Sequence, residues 1–169
     1  EPDLHESVTD PTRLYDLAPG TSGRFMNSYG WRSSRINALG LRGPEGEARK
    51  QPGVYRIVVF GASNAYGAFV SDDETFPAQA ERLLNERGDS CRYEVWNAGV
   101  SAYLPSQEVG KARALLAKAD ADLLVFQTYM FGRRAFRGIA GNRPWAELDG
   151  GQMDALLAAD PGLWWENVP

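Results

Sequence analysis

The sequence holds one cysteine and one histidine among its 169 residues, and these scarcities exclude several classes of site. Cys91 alone cannot form an intrachain disulfide or a cysteine zinc cluster. With His5 as the single imidazole, a histidine-rich metal site is excluded as well. No run approaches the about 18 apolar residues that cross a bilayer, so no transmembrane segment is predicted.

Positive charge is also scarce. The 18 Lys and Arg residues stand against 22 Asp and Glu residues, giving a net charge of −4. This balance argues against nucleic-acid binding through a basic field. Hydrophobic residues make up 43% and charged residues 24%, as in ordinary globular proteins, and the length suits one core. Because the chain begins at Glu1 rather than Met, we expect a processed product or a cut fragment.

Prolines and glycines interrupt residues 1–53 throughout, which predicts a mostly irregular segment. We interpret this range as an extended arm or linker that wraps over the domain formed by residues 54–169. Two short alternations, Gly23–Asn27 and Arg35–Leu39, are typical of edge strands.

From Val54 onward, apolar runs alternate with helical patterns. Runs at Val54–Phe60, Tyr93–Trp96 and Leu123–Phe126 predict three strands, the first of them buried on both faces. Thr75 and Ser106 are the predicted caps of the two intervening helices. Their predicted apolar faces consist of Phe76, Ala80, Leu83, Leu84, Val109, Ala112, Leu115, Leu116 and Ala119. This alternation predicts a parallel sheet in the order second–first–third strand.

In such a sheet, ligands bind beyond the carboxyl ends of the strands. The loop Gly61–Gly67 leaves the first predicted strand there and carries Ser63 in a glycine-flanked turn. A serine so exposed acts as a nucleophile if a base takes its proton and donors stabilise the oxyanion. On spacing alone, a plain small-residue turn stays open as the alternative. No lysine follows the glycines, which argues against a phosphate loop.

Several segments together resemble the SGNH (GDSL-type) serine hydrolases. They are RIVVFGASNAYG, DDETFPAQAERLL, EVWNAGVSAY and ADLLVFQ, preceded by RFMNSYGWRSSRINALGLRGPE, which is similar to the lead-in segment of many bacterial members. The resemblance implies an α/β fold: a three-layer α/β/α sandwich with a flavodoxin-like parallel sheet, here an incomplete one. It also implies ester or acyl hydrolysis without a cofactor or metal.

The resemblance assigns roles unevenly. Ser63 falls at the nucleophile, while Ala62 stands at the neighbouring Asp of the family. Ala102 falls at the glycine whose backbone N–H lines the oxyanion hole. Met130 falls at the Asn that donates to the oxyanion, and a thioether has no hydrogen to donate. Loss of one such donor typically costs about 3–4 kcal/mol of transition-state stabilisation.

The catalytic base is the largest departure from the family pattern. The Asp–His pair of the family belongs well beyond the third strand, but the sequence given stops at Pro169. His5 lies before the arm, where we expect a solvated terminal histidine. We therefore expect a truncated chain, a site completed by a partner chain, or a degenerate site. Without a base, we expect it to hydrolyse short esters at or near background.

Arginines and aromatic residues interleave in the loop Gln127–Arg143, which follows the third predicted strand. Arginine forks bind anionic groups, and aromatic rings stack on sugar faces. Solvated arginines beside packed aromatics are the alternative interpretation. The candidate substrate-binding residues are Asn64, Tyr129, Arg133 and Arg134.

Two hypotheses result. The first is an SGNH-type hydrolase, or a fragment of one, that acts on an acyl ester such as an acetylated glycan or lipid. The second is a non-catalytic SGNH-like module that binds an anionic carbohydrate or scaffolds at the cell surface. Both predict a periplasmic or secreted protein. We also expect a second copy or a partner chain to cover the open flank of a three-stranded half-sheet.

Overall fold

The computed structural model describes residues 4–10 and 12–127. Its first four strands are β1 (His5–Ser7), β2 (Tyr15–Leu17), β3 (Ser22–Asn27) and β4 (Gly30–Arg35). The following elements are β5 (Val54–Gly61), α1 (Ser63–Tyr66), α2 (Phe76–Glu86), β6 (Arg92–Asn97), α3 (Pro105–Ala119) and β7 (Leu123–Gln127). The predicted features beyond residue 127 lie outside the described residues.

The central sheet is parallel and has the order β6-β5-β7. Val58 in the middle strand pairs with Trp96 of β6 and with Leu124 of β7. This confirms the predicted order of second, first and third strand. Since β5 has a neighbour on both edges and cover on both faces, its carboxyl half from Val58 to Gly61 is buried.

Helices cover both faces of this sheet. Val59 packs with Ala80 and Leu84 of α2 on one face. Val58 and Phe60 alternate onto the other face, which α3 covers with residues such as Ala112, Leu115 and Ala119. Successive side chains of a strand point to opposite faces, so one apolar run serves both layers. The fold is therefore α/β with a helix layer on each side of the sheet, as predicted.

One predicted helix start is confirmed and the other is wrong. The Thr75 hydroxyl caps α2 by accepting a hydrogen bond from the Ala78 N–H at 3.4 Å. At α3 the cap position is Leu104, not Ser106, because Pro105 already occupies the first helical position. Proline suits that position because its missing N–H would have no intrahelical partner.

The predicted apolar faces of the two helices are only partly correct. Phe76, Leu83, Val109 and Leu116 are exposed to 41–54%. In α3, three polar residues are buried in their place: Gln107, Glu108 and Lys111. Residues of the arm explain two of these, because Gln107 donates to the Arg13 carbonyl oxygen at 2.7 Å and Lys111 to that of Gly40 at 3.1 Å.

The amino-terminal arm is more regular than the sequence predicts. Two antiparallel pairs, β1 with β2 and β3 with β4, occupy much of it. Its apolar residues share one cluster with α1 and the loop after β6: Leu4, Leu14, Tyr15, Leu17, Ile36, Tyr66, Val100 and Tyr103. The arm thus supplies one side of a core that surrounds the carboxyl edge of the sheet.

The outer edge of β6 is occupied by two side chains of α2 and by one backbone contact from the arm, not by a paired strand of the described residues. Asn85 of α2 accepts from the Tyr93 N–H and donates to the Tyr93 carbonyl oxygen, both at 2.9 Å. Glu81 accepts from the Val95 N–H at 2.7 Å. The Arg42 N–H donates to the Asn97 carbonyl oxygen at 3.0 Å. The opposite edge strand, β7, leaves Leu123 and Phe126 exposed to 43% and 39%.

Candidate functional site

Ser63 begins the short helix that follows the central strand. β5 ends at Gly61, and α1 runs from Ser63 to Tyr66. The helix stops at Gly67, whose φ of 86° lies in the left-handed region and whose N–H donates to the Ser63 carbonyl oxygen. Ser63 and Asn64 are exposed, whereas Tyr66 is buried. The turn therefore presents the Ser63 side chain to solvent at the carboxyl end of the sheet.

The loop after β6 lies directly against α1. The Val100 N–H donates to the Gly61 carbonyl oxygen at 3.0 Å, and Asn97 Nδ2 donates to that of Tyr66 at 3.2 Å. Gly99 makes the closest approach: a Cβ at this position would lie 2.3 Å from the Tyr66 nitrogen. Only glycine fits there, and sequence reasoning gave Gly99 no role.

Ala102 adopts a backbone conformation that favours glycine. Its φ is 63°, and the residue is exposed. It lies on the loop whose Gly99 makes the close approach to α1. An L-residue in this region costs roughly 1–2 kcal/mol. Among the described residues, none accepts a hydrogen bond from the N–H of Ser63 or of Ala102. Within residues 4–10 and 12–127, two backbone donors are thus without an acceptor, one at the start of α1 and one on the loop that contacts α1.

Arg42 holds the segment that follows Ser63 in place. Its guanidinium donates to the carbonyl oxygens of Tyr66, Gly67 and Val70 at 2.6–2.9 Å, and to Asp72 Oδ1 at 2.9 Å. It also lies 4.5 Å from the centroid of the Tyr66 ring. The residue is 4% exposed, so these contacts are shielded from water. A lone arginine in a glycine-rich segment carried no sequence signal for this role.

Tyrosines join the arm to the loop that carries Ala102. Tyr15 Oη donates to the Ser101 carbonyl oxygen at 2.8 Å, and Tyr103 Oη donates to that of Tyr15. Burial, with a smaller contribution from the Asp16 charge, raises the pKa of both phenols. Both therefore stay protonated and keep donating at physiological pH.

His5 lies in the same neighbourhood, contrary to the expectation of a solvated terminal histidine. It pairs with Leu17 in the β1–β2 ladder and is half-buried. Its ring centroid is 5.8 Å from that of Tyr15 and 6.4 Å from that of Tyr66. The arm packs on the edge of the sheet and carries its histidine there with it.

Comparison with known proteins gives matches in structure alone. No family model and no curated protein matches the sequence. The esterase AlinE4, described as a member of the SGNH-hydrolase family, matches 46% of this chain and 41% of its own, with 24% identity and a TM-score of 0.39. A substituted form of it matches 47% and 42%, with 23% identity and the same TM-score. The structural neighbours are SGNH-hydrolase family esterases. This chain spans less than half of their length.

Four of the predicted site residues lie outside the described residues, namely Tyr129, Met130, Arg133 and Arg134. Ser63, Asn64 and Ala102 lie within them, on two loops that contact each other. Within residues 4–10 and 12–127, no group of three or more His, Cys, Asp and Glu side chains could hold a metal ion. In the same ranges, no helix is long and apolar enough to cross a membrane.

Proposed function

We propose that this chain carries the nucleophile side of an acyl-ester hydrolase site, with Ser63 as the nucleophile. The observation that carries the proposal is the conformation of Ala102 on a loop seated against α1. Its φ of 63° leaves its N–H without an acceptor among the described residues, as at Ser63. An oxyanion needs backbone N–H donors close to the nucleophile, and the contact between the two loops supports that role for these two groups.

The reaction follows from these parts. Ser63 Oγ attacks the ester carbonyl carbon, its proton passes to a base, and the N–H groups of Ser63 and Ala102 bind the oxyanion. The alcohol leaves with a proton, and water then hydrolyses the acyl-serine. No described residue hydrogen-bonds to Ser63 Oγ, so the base has no assignment here. General-base assistance typically contributes about 10²–10⁴-fold in rate, and turnover without it is expected near background.

The substrate class we propose is an acetylated glycan or lipid, met outside the cytoplasm. Asn64 follows the nucleophile and is exposed, which suits contact with the acyl or alcohol part. Tyr129, Arg133 and Arg134 remain proposed contacts to an anionic sugar. A partner chain or second copy beside β7 also remains a proposal, supported by the exposure of Leu123 and Phe126.

Acyl transfer to Ser63 tests the nucleophile without requiring a complete site. The protein is incubated with an activated acetyl ester and imidazole as an external base, and the acetylated residue is mapped by mass spectrometry. We expect acetylation at Ser63 and its loss in Ser63→Ala. Ser106→Ala is the matched control, because Ser106 is also an exposed serine near a helix start. Equal acetylation of Ser63 and Ser106 would contradict the proposal.

Measurements of glycan binding and of turnover, made beside the acetylation experiment, distinguish the second hypothesis, a non-catalytic binding module. Binding of an anionic or acetylated glycan without selective acetylation of Ser63 supports that module. Turnover at neutral pH that disappears in Ser63→Ala supports the hydrolase and identifies a base within the chain or a second subunit. His5→Gln then tests whether the half-buried histidine beside Tyr66 is that base.

A further inference from the structure

The tip of the β3–β4 hairpin exposes an unusual set of large apolar side chains. Met26, Tyr29 and Trp31 are exposed to 58%, 82% and 57%, and Phe69 beside them to 68%. Met26 and Trp31 are cross-strand partners, and Tyr29 lies in the turn that joins their strands. Asn27 Nδ2 donates to the Phe69 carbonyl oxygen at 2.8 Å, which joins Phe69 to the hairpin. These four residues are called the hairpin-tip surface below.

Phe69 is held outward at a cost. Its φ is 72°, in the left-handed region, where a bulky L-residue is strained by roughly 1–2 kcal/mol. The fold gains nothing from burial of its ring, since the ring is exposed. A strained backbone conformation that no buried side-chain packing offsets is typical of functional positions. The backbone strain at Phe69 is therefore a second observation, independent of exposure, that indicates a functional role for the hairpin-tip surface.

The charges on the outer face of the hairpin are positive. Alternation along β3 and β4 puts Arg24 and Arg35 on the same side as Met26 and Trp31, and both arginines are exposed. The Arg24 guanidinium lies 5.0 Å from the Trp31 ring centroid. Among the acids of the described segment that follows Phe69, Asp72 pairs with Arg42 and Glu74 with Arg32, and Asp73 lies between them in sequence. A cationic face on a chain of net charge −4 points to an anionic partner.

We propose that the hairpin-tip surface docks on the interface of an anionic lipid bilayer. Apolar side chains would enter the boundary between headgroups and acyl chains, Tyr29 and Trp31 would lie at headgroup level, and Arg24 and Arg35 would contact lipid phosphates. Side chains exposed to this extent protrude, whereas a small-molecule site is concave and buries most of its ligand. Arg24 also covers the Trp31 indole, which is the ring face on which a sugar would have to stack.

One segment of chain links the hairpin-tip surface to the candidate site. Phe69 belongs to the segment that follows α1, and Arg42 ties that segment down through the Val70 carbonyl oxygen at 2.6 Å. A docked hairpin would hold Ser63 close to the bilayer interface. The binding itself needs no nucleophile, so Ser63→Ala is expected to bind vesicles as the unsubstituted protein does.

Vesicle co-sedimentation with the full chain tests the proposal. We expect binding to phosphatidylcholine vesicles that contain phosphatidylglycerol, and weaker binding to phosphatidylcholine alone. The double variant Met26→Ser/Phe69→Ser should lose at least about tenfold in partition coefficient. Arg24→Glu should lose at least about fivefold, since one basic residue near an anionic surface is worth that factor.

The control is Leu83→Ser/Leu116→Ser, which removes two apolar side chains of similar exposure from α2 and α3. We expect it to bind as the unsubstituted protein does, with circular dichroism showing that every variant is folded. Unchanged binding of Met26→Ser/Phe69→Ser, or an equal loss in the control, would overturn the proposal. A dimer that dissociates in Met26→Ser/Phe69→Ser, without vesicle binding, would identify the surface as a contact between copies instead.

Discussion

The α/β unit and the arm are built by different means. In residues 54–127, apolar side chains at strand and helix periods pack on the two faces of one sheet. Between the arm and that unit, buried charges make many of the contacts: Arg42 is 4% exposed, Arg56 1% and Lys111 3%. The apolar packing follows a pattern that is visible in the sequence, whereas the contacts of the buried charges depend on which carbonyl oxygens lie near each cation in the folded chain.

Arg56 illustrates the contrast within a single strand. Its neighbours in β5 fill the core, but its guanidinium donates to the carbonyl oxygens of Ala48 and Glu47 at 2.7 and 2.9 Å. It also lies 3.8 Å from the Trp96 ring centroid. A buried cation held this way fixes the chain that supplies its acceptors. The arm is therefore attached by specific polar contacts in addition to its apolar cluster with α1 and the loop after β6.

The strongest test of this contrast is Arg42→Met. The substitution keeps much of the apolar stem but removes one donor each from three carbonyl oxygens and from Asp72. Removal of one partner from a buried pair typically costs about 3–5 kcal/mol, and we expect a loss of that size in urea unfolding. The segment after Ser63 should loosen too, so acetylation of Ser63 should fall.

Arg49→Met is the control for that experiment, because Arg49 is an exposed arginine of the arm. Its effect should stay within about 0.5 kcal/mol, as for ordinary surface substitutions. If Arg42→Met changed stability no more than Arg49→Met, the arm would be a loose attachment and the contrast between the two regions would disappear.

A smaller effect is expected at Lys111. Its ammonium pairs with Asp16 of β2, while burial lowers the pKa of this lysine. Asp16 keeps Arg13 at 2.6 Å and the Leu17 N–H at 2.8 Å, so Lys111→Met should cost only about 2–3 kcal/mol. A double-mutant cycle with Asp16→Asn should give a coupling of about 1–3 kcal/mol. Additive effects of the two substitutions would refute a direct contribution of this pair.

Glu108 gives the most pH-dependent effect. It is 2% exposed, its Oε2 has no hydrogen-bond partner among the described residues, and burial raises its pKa from 4.5 to about 7. The folded state thus holds a proton that the unfolded state releases, so stability falls as pH rises from 4.5 to about 7. We expect Glu108→Gln to remove about 2–3 kcal/mol of that fall. Urea titrations across this range would measure it, and parallel pH profiles of the two proteins would contradict it.

The sheet was predictable because its signals are local and periodic. The run Val54–Phe60 between glycines, and Thr75 followed by Pro77, each predict one element whatever lies elsewhere in the chain. The buried face of α3 was not predictable from its own residues. Gln107 and Lys111 donate to carbonyl oxygens of the arm that lie 94 and 71 positions away in sequence, and no helical pattern encodes those contacts.

The candidate site divides in the same way. The position of Ser63 in the turn after the central strand was predictable from a strand that ends between glycines, whereas Ala102 was chosen from resemblance to a known motif. Gly99 and Arg42 were not predictable, since their roles rest on one close backbone approach and on carbonyl oxygens that only the folded chain brings together. His5 was misjudged because β1 carries it back onto the sheet edge.

The side chains along the outer edge of β6 protect that edge against pairing with a further strand. An unprotected edge strand is a template on which another chain can add, and natural proteins block such templates to avoid aggregation. Here Asn85 and Glu81 already use the backbone groups of Tyr93 and Val95 that an incoming strand would need. An incoming strand would therefore compete with these contacts at β6, whereas the exposed Leu123 and Phe126 lie on the opposite edge strand, β7.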